Sequence, residues 1–320
     1  MTSPFNWEKK GKIFDPNGVS DYMQNYAQNP NAIELEDRVR VYFTTRPAKS
    51  DNGKFVSYTS FTDFDKNDLS KVLYVHEKPV LELGARGDFD EFGIMPGSLV
   101  HVPEKGEIWL YYVGWTRMQS VPYNWAIGLA VSTDGGYSFK RYGKGPIAGA
   151  THKEPYLQAC PRVMRQPDGK WVMWYQSGLR WNEYNDYMES VYITMFATSD
   201  DGINWNRSGE QVIPSIVNEE CQTSASVIFH DGLYHMLFSY RHGVDFRNRD
   251  NGYRIGYASS EDMINWTRDD SKAGIDVSEE GWDSEMICYP HVTKIGNEIV
   301  LFYCGNYFGR DGFGYATLKK

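Results

Sequence analysis

The chain has 320 residues, with 42 Asp and Glu against 33 Lys and Arg; the formal charge of −9 argues against nucleic acid or an anionic membrane as its main partner. No run of about 18 apolar residues occurs, so no membrane-spanning helix is expected. The amino-terminal segment MTSPFNWEKKGK lacks the apolar core of a signal peptide, from which a cytoplasmic protein is expected.

The first element, residues 7–13 (WEKKGKI), makes sense only beside residues 139–147 (FKRYGKGPI) and 205–213 (WNRSGEQVI). Each has an aromatic residue, a glycine four positions later and then an aliphatic residue, and each reads as the outermost strand of a repeat. A second motif is repeated at 56–64 (VSYTSFTDF), 127–139 (IGLAVSTDGGYSF), 194–205 (TMFATSDDGINW), 253–266 (YRIGYASSEDMINW) and 313–318 (FGYATL). Copies spaced about 60–70 residues apart, each with several short strands, are the signature of a β-propeller. The expected fold is all-β: a single five-bladed propeller over residues 1–320, with four strands to a blade. The amino-terminal strand closes the ring by completing the last blade, which hides an exposed edge. High aromatic content (23 Tyr, 16 Phe and 10 Trp) suits both sheet packing and sugar stacking.

Within each repeat an innermost strand is expected first, at 31–35, 97–102, 162–165, 226–230 and 291–295. A turn follows, clearest at Asp168-Gly169 and Asp231-Gly232. The second strands are expected at 39–43, 108–113, 171–175, 234–240 and 298–303, and a longer loop leads to the third. The turns at 132–139 and 199–205 resemble the Asp boxes of sialidases; Asp134 and Asp201 in them, and Asp262 in the 253–266 repeat, would accept backbone N–H bonds as a folding device. Cys160, Cys221, Cys288 and Cys304 form no C-x-x-C pair and are expected as free, mostly buried thiols.

In a propeller the starts of the inner strands and the ends of the second strands meet at one mouth of the central channel. The inner-strand starts carry Asp90 and Glu91, Glu154, Glu219 and Glu220, and Asp283 and Glu285. Carboxylates crowded into one channel would separate in pKa, as an acid and base pair requires. The second strands end near Arg46, Arg117, Arg180, Arg241 and Arg310, and Arg162 joins from an inner strand. These arginines either bind a carboxylate or phosphate of a ligand or pair with acids of neighbouring blades.

At these residues the chain resembles the five-bladed propeller glycosidases, glycoside hydrolase families 43 and 32, and more closely uncharacterised bacterial propellers associated with surface-polysaccharide genes. The resemblance implies a blade-one Asp as base or nucleophile, a second Asp that tunes pKa, and a Glu as acid. Residues 28–31 (QNPN) match the blade-one segment, but Asn29 stands where the Asp is expected. Glu220-Cys221 matches the acid, and Glu154 falls at the modulating position. An amide cannot act as base, so Glu91, Glu154, Asp283 or Glu285 would have to take that role. The resemblance also raises calcium in the channel near His291; no cofactor is otherwise expected.

Three functions follow. The first is a glycoside hydrolase or transglycosidase with Glu220 as acid. The second is a phosphorylase in which arginines hold inorganic phosphate. The third is a sugar-binding propeller without turnover, with Trp115, Tyr156 and Trp181 as stacking surfaces. The recurring arginines point to an acidic or phosphorylated glycoside, with Asn29, Arg46, Arg162, Arg241 and His291 among the contacts. The sequence leaves the sugar and the oligomeric state open.

Overall fold

In the computed structural model, which describes residues 5–50 and 53–319, five four-stranded antiparallel sheets form a five-bladed β-propeller. Strand β1 (Trp7–Phe14) is set apart from the four that follow: β2 (Asn25–Glu34), β3 (Arg38–Arg46), β4 (Tyr58–Asp65) and β5 (Asp68–Val75) form blade one. Blade two contains β6 (Gly93–Val102), β7 (Glu107–Arg117), β8 (Tyr123–Ser132) and β9 (Lys140–Arg141). Blade three contains β10 (Gln158–Arg165), β11 (Trp171–Tyr184), β12 (Tyr187–Ser199) and β13 (Asn206–Gln211). Blade four contains β14 (Cys221–His230), β15 (Leu233–Arg241), β16 (Arg254–Ser260) and β17 (Thr267–Arg268). Blade five contains β18 (Cys288–Ile295), β19 (Glu298–Cys304) and β20 (Phe313–Leu318), with β1 as its outer strand.

The closure follows the sequence expectation. Strand β1 runs antiparallel to β20 from Trp7 opposite Leu318 to Phe14 opposite Phe313. Phe5, Trp7 and Phe14 are buried, and the Trp7 indole donates to the Ala273 carbonyl at 3.0 Å, so the segment is also held by blade four.

The hydrophobic core is divided among the junctions between blades. Tyr42 and Phe61 of blade one pack with Leu110 and Tyr112 of blade two. Trp174 of blade three packs with Met236 and Phe238 of blade four, and Phe43 of blade one with Phe302 and Phe313 of blade five. Each blade thus buries its faces against its neighbours, as a closed repeat requires. The Asp-box turns join the same junctions. The Tyr42 hydroxyl donates to the Gly136 carbonyl at 2.7 Å, and that of Tyr111 to Gly202 at 2.8 Å. Asp201 accepts the amides of Ile203 and Asn204, both at 2.8 Å; these bonds outweigh burial and hold its carboxyl at about 2.

Two boundaries differ from expectation. Strands β11 and β12 continue as one hairpin to a turn at Asn185-Asp186, whose φ values of 48° and 62° bring the strands together without a loop. Arg180 and Trp181 therefore lie inside β11 rather than after it. The inner strands also begin earlier than expected, at residues 25, 93, 158, 221 and 288, because each contains a bulge that disguises its first residues.

All four cysteines are free; Cys221, Cys288 and Cys304 are buried and Cys160 is half-buried. Among the described residues no helix is long and apolar enough to cross a membrane.

Candidate functional site

The bulges build the site. Pairing between inner and second strands breaks between Gln28 and Asn31, Pro96 and Ser98, Ala159 and Arg162, Thr223 and Ser226, and Cys288 and His291. In four blades the bulge holds a left-handed residue: Asn29 (φ 55°), Cys160 (46°), Ser224 (53°) and Tyr289 (55°). Such a conformation costs a non-glycine residue of the order of 1 kcal/mol. In three of the four a proline follows (Pro30, Pro161, Pro290), and in blade four Ala225 takes its place.

Asn29, Cys160 and Tyr289, together with Met95, line a deep cavity of about 120 Å³. Thr44, Gln176, Thr223, Tyr192 and Tyr253 complete much of its wall, and Arg46 and Trp125 lie at its rim. Arg46, Met95 and Trp125 are shared with an outer basin of about 710 Å³ that also includes Phe55, Trp115, Arg117, Tyr123 and Tyr187. Tyr123 stacks on Trp125 with ring centroids 4.4 Å apart, and Trp181 meets Tyr123 edge-on at 5.2 Å. A separate groove of about 590 Å³ lies between the outer edges of blades one and five, lined by charged residues such as Glu8, Lys10 and Lys66. It has neither the aromatic nor the convergent character of a ligand site.

Arg162 closes the channel under the deep cavity. Its guanidinium donates to Asn31 Oδ1, to the Gly97 carbonyl at 2.8 Å, to Asn29 Oδ1 at 2.8 Å and to the Pro290 carbonyl at 3.3 Å. Burial pulls its pKa down to about 10. Asn29 needs both ends of its amide: Oδ1 accepts from Arg162 while Nδ2 donates to the Pro96 carbonyl. A carboxylate could make the first of these bonds but not the second.

The expected arginines divide into two groups. Arg180 pairs with Glu219 at 2.8 Å and Arg310 with Asp311 at 3.1 Å. Arg46, Arg117, Arg162 and Arg241 have no carboxylate partner among the described residues. Arg46 bonds Gln28 at 3.0 Å and lies over the Tyr26 ring; Arg117 bonds the Phe55 carbonyl at 2.7 Å and lies over Phe92. Arg241 is buried behind Tyr192, bonded to its hydroxyl at 3.0 Å and 3.4 Å above the Phe246 ring.

The carboxylates do not converge on the channel as expected. Asp90 accepts Tyr112 of β7 at 2.9 Å and Arg141 of β9 at 2.8 Å. Glu154 accepts Tyr175 of β11 at 3.0 Å and Ser177 at 2.8 Å, with Arg207 of β13 at 3.5 Å. Asp283 accepts Tyr303 of β19 at 3.0 Å and Lys9 of β1 at 2.7 Å. Glu220 accepts Arg268 of β17 at 2.6 Å, Gln222 at 2.7 Å and the amides of Ile216 and Val217. Each therefore ties the start of its blade to the outer strand of the same blade. Because the inner strands start early, these acids lie at the blade corner beside an outer-strand cation and not at the axis. Glu91 accepts the Gly87 amide at 2.9 Å, and Glu285 is half-buried with its backbone bonded to Asn306 and Arg254. None of these carboxylates lines the deep cavity or the basin.

Tyr156 is exposed and outside both cavities, whereas Trp115 lines the basin. His291 bonds the Ala32 carbonyl at 3.1 Å, and burial together with nearby Arg162 pushes it down to about 3. A cation such as calcium does not fit beside that guanidinium, and among the described residues no cluster of His, Cys, Asp and Glu could hold a metal. Sequence reasoning missed Thr44, Gln176 and Thr223. The first two were signalled by a polar residue in an apolar second strand, VYFTT and WVMWYQ.

The fold defines a class: a five-bladed propeller of the kind found in glycoside hydrolases and related phosphorylases. A glycoside hydrolase structure superposes with a TM-score of 0.76 at 19% identity, over 100% of this chain and 92% of that one. A thermostable family-43 glycoside hydrolase gives 0.67 at 17% identity, over 96% and 91%. The β-1,2-mannobiose phosphorylase from Listeria innocua gives 0.69 at 12% identity, over 99% and 97%. No protein-family model matches the chain. Over 316 residues it is 33% identical to the uncharacterized protein Rv1502 of Mycobacterium tuberculosis H37Rv, covering 98% of this chain and 99% of the relative. The uncharacterized protein MT1551 of strain CDC 1551 matches to the same extent, and the chain belongs to the family these proteins represent.

Proposed function

We propose that the protein is a carbohydrate-active enzyme that processes a glycoside at the mouth of its central channel. The observation that carries this is the aromatic basin, with Trp115, Tyr123 and Trp125 as stacking faces, opening onto a deep cavity with polar side chains in its wall, at the end of the propeller where the inner strands begin. Flat rings bind the apolar faces of a sugar while the deeper polar groups fix its orientation. The fold shared with glycoside hydrolases and a mannobiose phosphorylase supports the same reading.

Hydrolysis by two carboxylates is the less favoured chemistry, because that mechanism requires both acids to flank the scissile bond. Glu220 and Glu154 are bonded within their blades, and Asn29 occupies the blade-one position. Transfer to phosphate removes the need for an enzyme-borne base: an oxygen of hydrogen phosphate bonds to the anomeric carbon, the glycosidic C–O bond breaks, and the leaving oxygen takes the proton that the phosphate carried. The absence of carboxylates from the cavity wall also favours a second reading, sugar binding without turnover.

The test incubates the protein with a panel of oligosaccharides, with and without inorganic phosphate, and measures sugar phosphate and reducing sugar separately. Phosphate-dependent release of a sugar phosphate is the expected result. Reducing sugar without phosphate would restore hydrolysis. Sugar-dependent quenching of tryptophan fluorescence without either product would establish the binding reading.

A further inference from the structure

Four side chains from three blades meet in the deep cavity with polar atoms that no described residue bonds. They are the Thr44 and Thr223 hydroxyls, Arg46 Nε and the Gln176 side-chain nitrogen. Thr44, Gln176 and Thr223 are 0%, 2% and 2% exposed, and the Thr223 hydroxyl lies beside the Cys160 thiol. Buried polar groups in native proteins are rarely left without a partner, so four converging on one space of about 120 Å³ mark a place built for a ligand.

Charge specifies which ligand. Arg46 lines the cavity, Arg162 lies directly behind Asn29, and Arg241 lies behind Tyr192. No carboxylate of the described residues pairs with any of the three, and the wall carries the amides of Gln28 and Asn29 where acids would neutralise it. A buried cation without a counterion is costly. A neutral sugar would satisfy the hydroxyls and the amide but leave this charge unmatched. An oxyanion accepts from all four groups and supplies the missing charge. A phosphoryl group presents three or four oxygens to these four groups, whereas a carboxylate presents only two.

We infer that the deep cavity is an oxyanion subsite that takes a phosphoryl group, either inorganic phosphate or the phosphate of a phosphorylated sugar. Its position at the foot of a sugar site rests on the function proposed above; the binding of the anion does not.

The experiment titrates the full chain with inorganic phosphate, methyl phosphate and glucuronate at constant ionic strength. Calorimetry and thermal unfolding are read against a chloride control. Saturable binding of one or both phosphates, stronger than that of glucuronate, is expected. Gln176→Glu, which puts a negative charge in the cavity, and Arg46→Gln should each weaken it at least about tenfold, the scale of a charge-assisted hydrogen bond. Thr44→Val, which keeps the shape, should weaken it by about threefold or more. Trp115→Ala should leave phosphate affinity unchanged. Binding of methyl phosphate alone would identify a phosphorylated sugar as the source, and binding of both would admit inorganic phosphate. The inference is overturned if phosphate does no more than chloride, if glucuronate binds more tightly than both phosphates, or if Gln176→Glu binds phosphate as the parent does. Phosphate binding with no response to any sugar would leave the subsite standing and remove the glycoside reading.

Discussion

Among the described residues, every buried carboxylate at the corners of the blades has a cation within reach, while the buried cations around the channel have no carboxylate partner. Asp63 takes Arg40 through both oxygens at 2.7 and 2.9 Å, Glu189 takes Arg247 at 2.5 Å, and Asp90, Glu154, Glu220 and Asp283 tie to outer-strand bases. Arg162 and Arg241 are equally buried but, among the described residues, bond only neutral groups. The corners therefore have no charge left over to offer a ligand, and the channel does. The same residue types hold the blades together in one region and leave an unmatched positive field in the other. Whether each acid has a base within reach decides which role it plays.

Four experiments test this contrast. Deleting residues 1–14 should have the largest effect, because it removes the outer strand of blade five, the buried Trp7 and Phe14, and the Lys9 partner of Asp283. Losing one buried aromatic alone costs about 3–5 kcal/mol. The truncated chain should show no cooperative unfolding transition in urea; a melting temperature within a degree or two of the full chain would mean that β1 does not close the ring.

Arg268→Met strands Glu220 in a buried corner and should cost about 3–5 kcal/mol of stability, measured by urea denaturation. Glu220→Gln should also destabilise, while turnover per folded molecule persists. If its stability is unchanged and turnover is lost, Glu220 belongs to the chemistry and the contrast fails at that corner.

The channel's own charge should appear in pH dependence. His291 is held at about 3 in the fold against about 6.5 unfolded. Between those values the unfolded chain binds the extra proton, so stability falls as pH is lowered from 6.5 towards 3 and is fully present above 6.5. His76, His101 and His235 are also pushed down by burial and add slope of the same sign. His291→Asn should remove at most about 1.4 kcal/mol per pH unit between pH 6 and 4. Parallel stability curves for parent and variant would show that the channel around Arg162 is open to water.

Asp201→Ala should have the smallest effect, about 1 kcal/mol, since the turn is exposed and loses hydrogen bonds that water partly replaces. Activity and phosphate binding should not change, because the turn lies at the end of the third strand, away from the mouth. An effect on either would connect the Asp-box face to the site.

Periodicity in the sequence determined the blade count, the four-strand repeat, the closing role of residues 7–13 and the mouth at which Asn29, Arg46 and Trp115 lie. These depend on local patterning that recurs in each repeat, and alternation and turn chemistry are properties of neighbouring residues. The tertiary structure alone decided which charges are free. Glu220 and Arg268, or Asp283 and Lys9, are far apart in the chain and meet only when a blade folds. Their pairing turns a row of acids that reads as catalytic into blade ties. The bulges had the same effect on geometry: Asn29, Cys160 and Tyr289 turn into the cavity because their backbones are left-handed, a conformation set by the ladder on each side. Thr44, Gln176 and Thr223 are unremarkable in three separate strands. Only closure of the ring brings their unbonded polar atoms together around one small space.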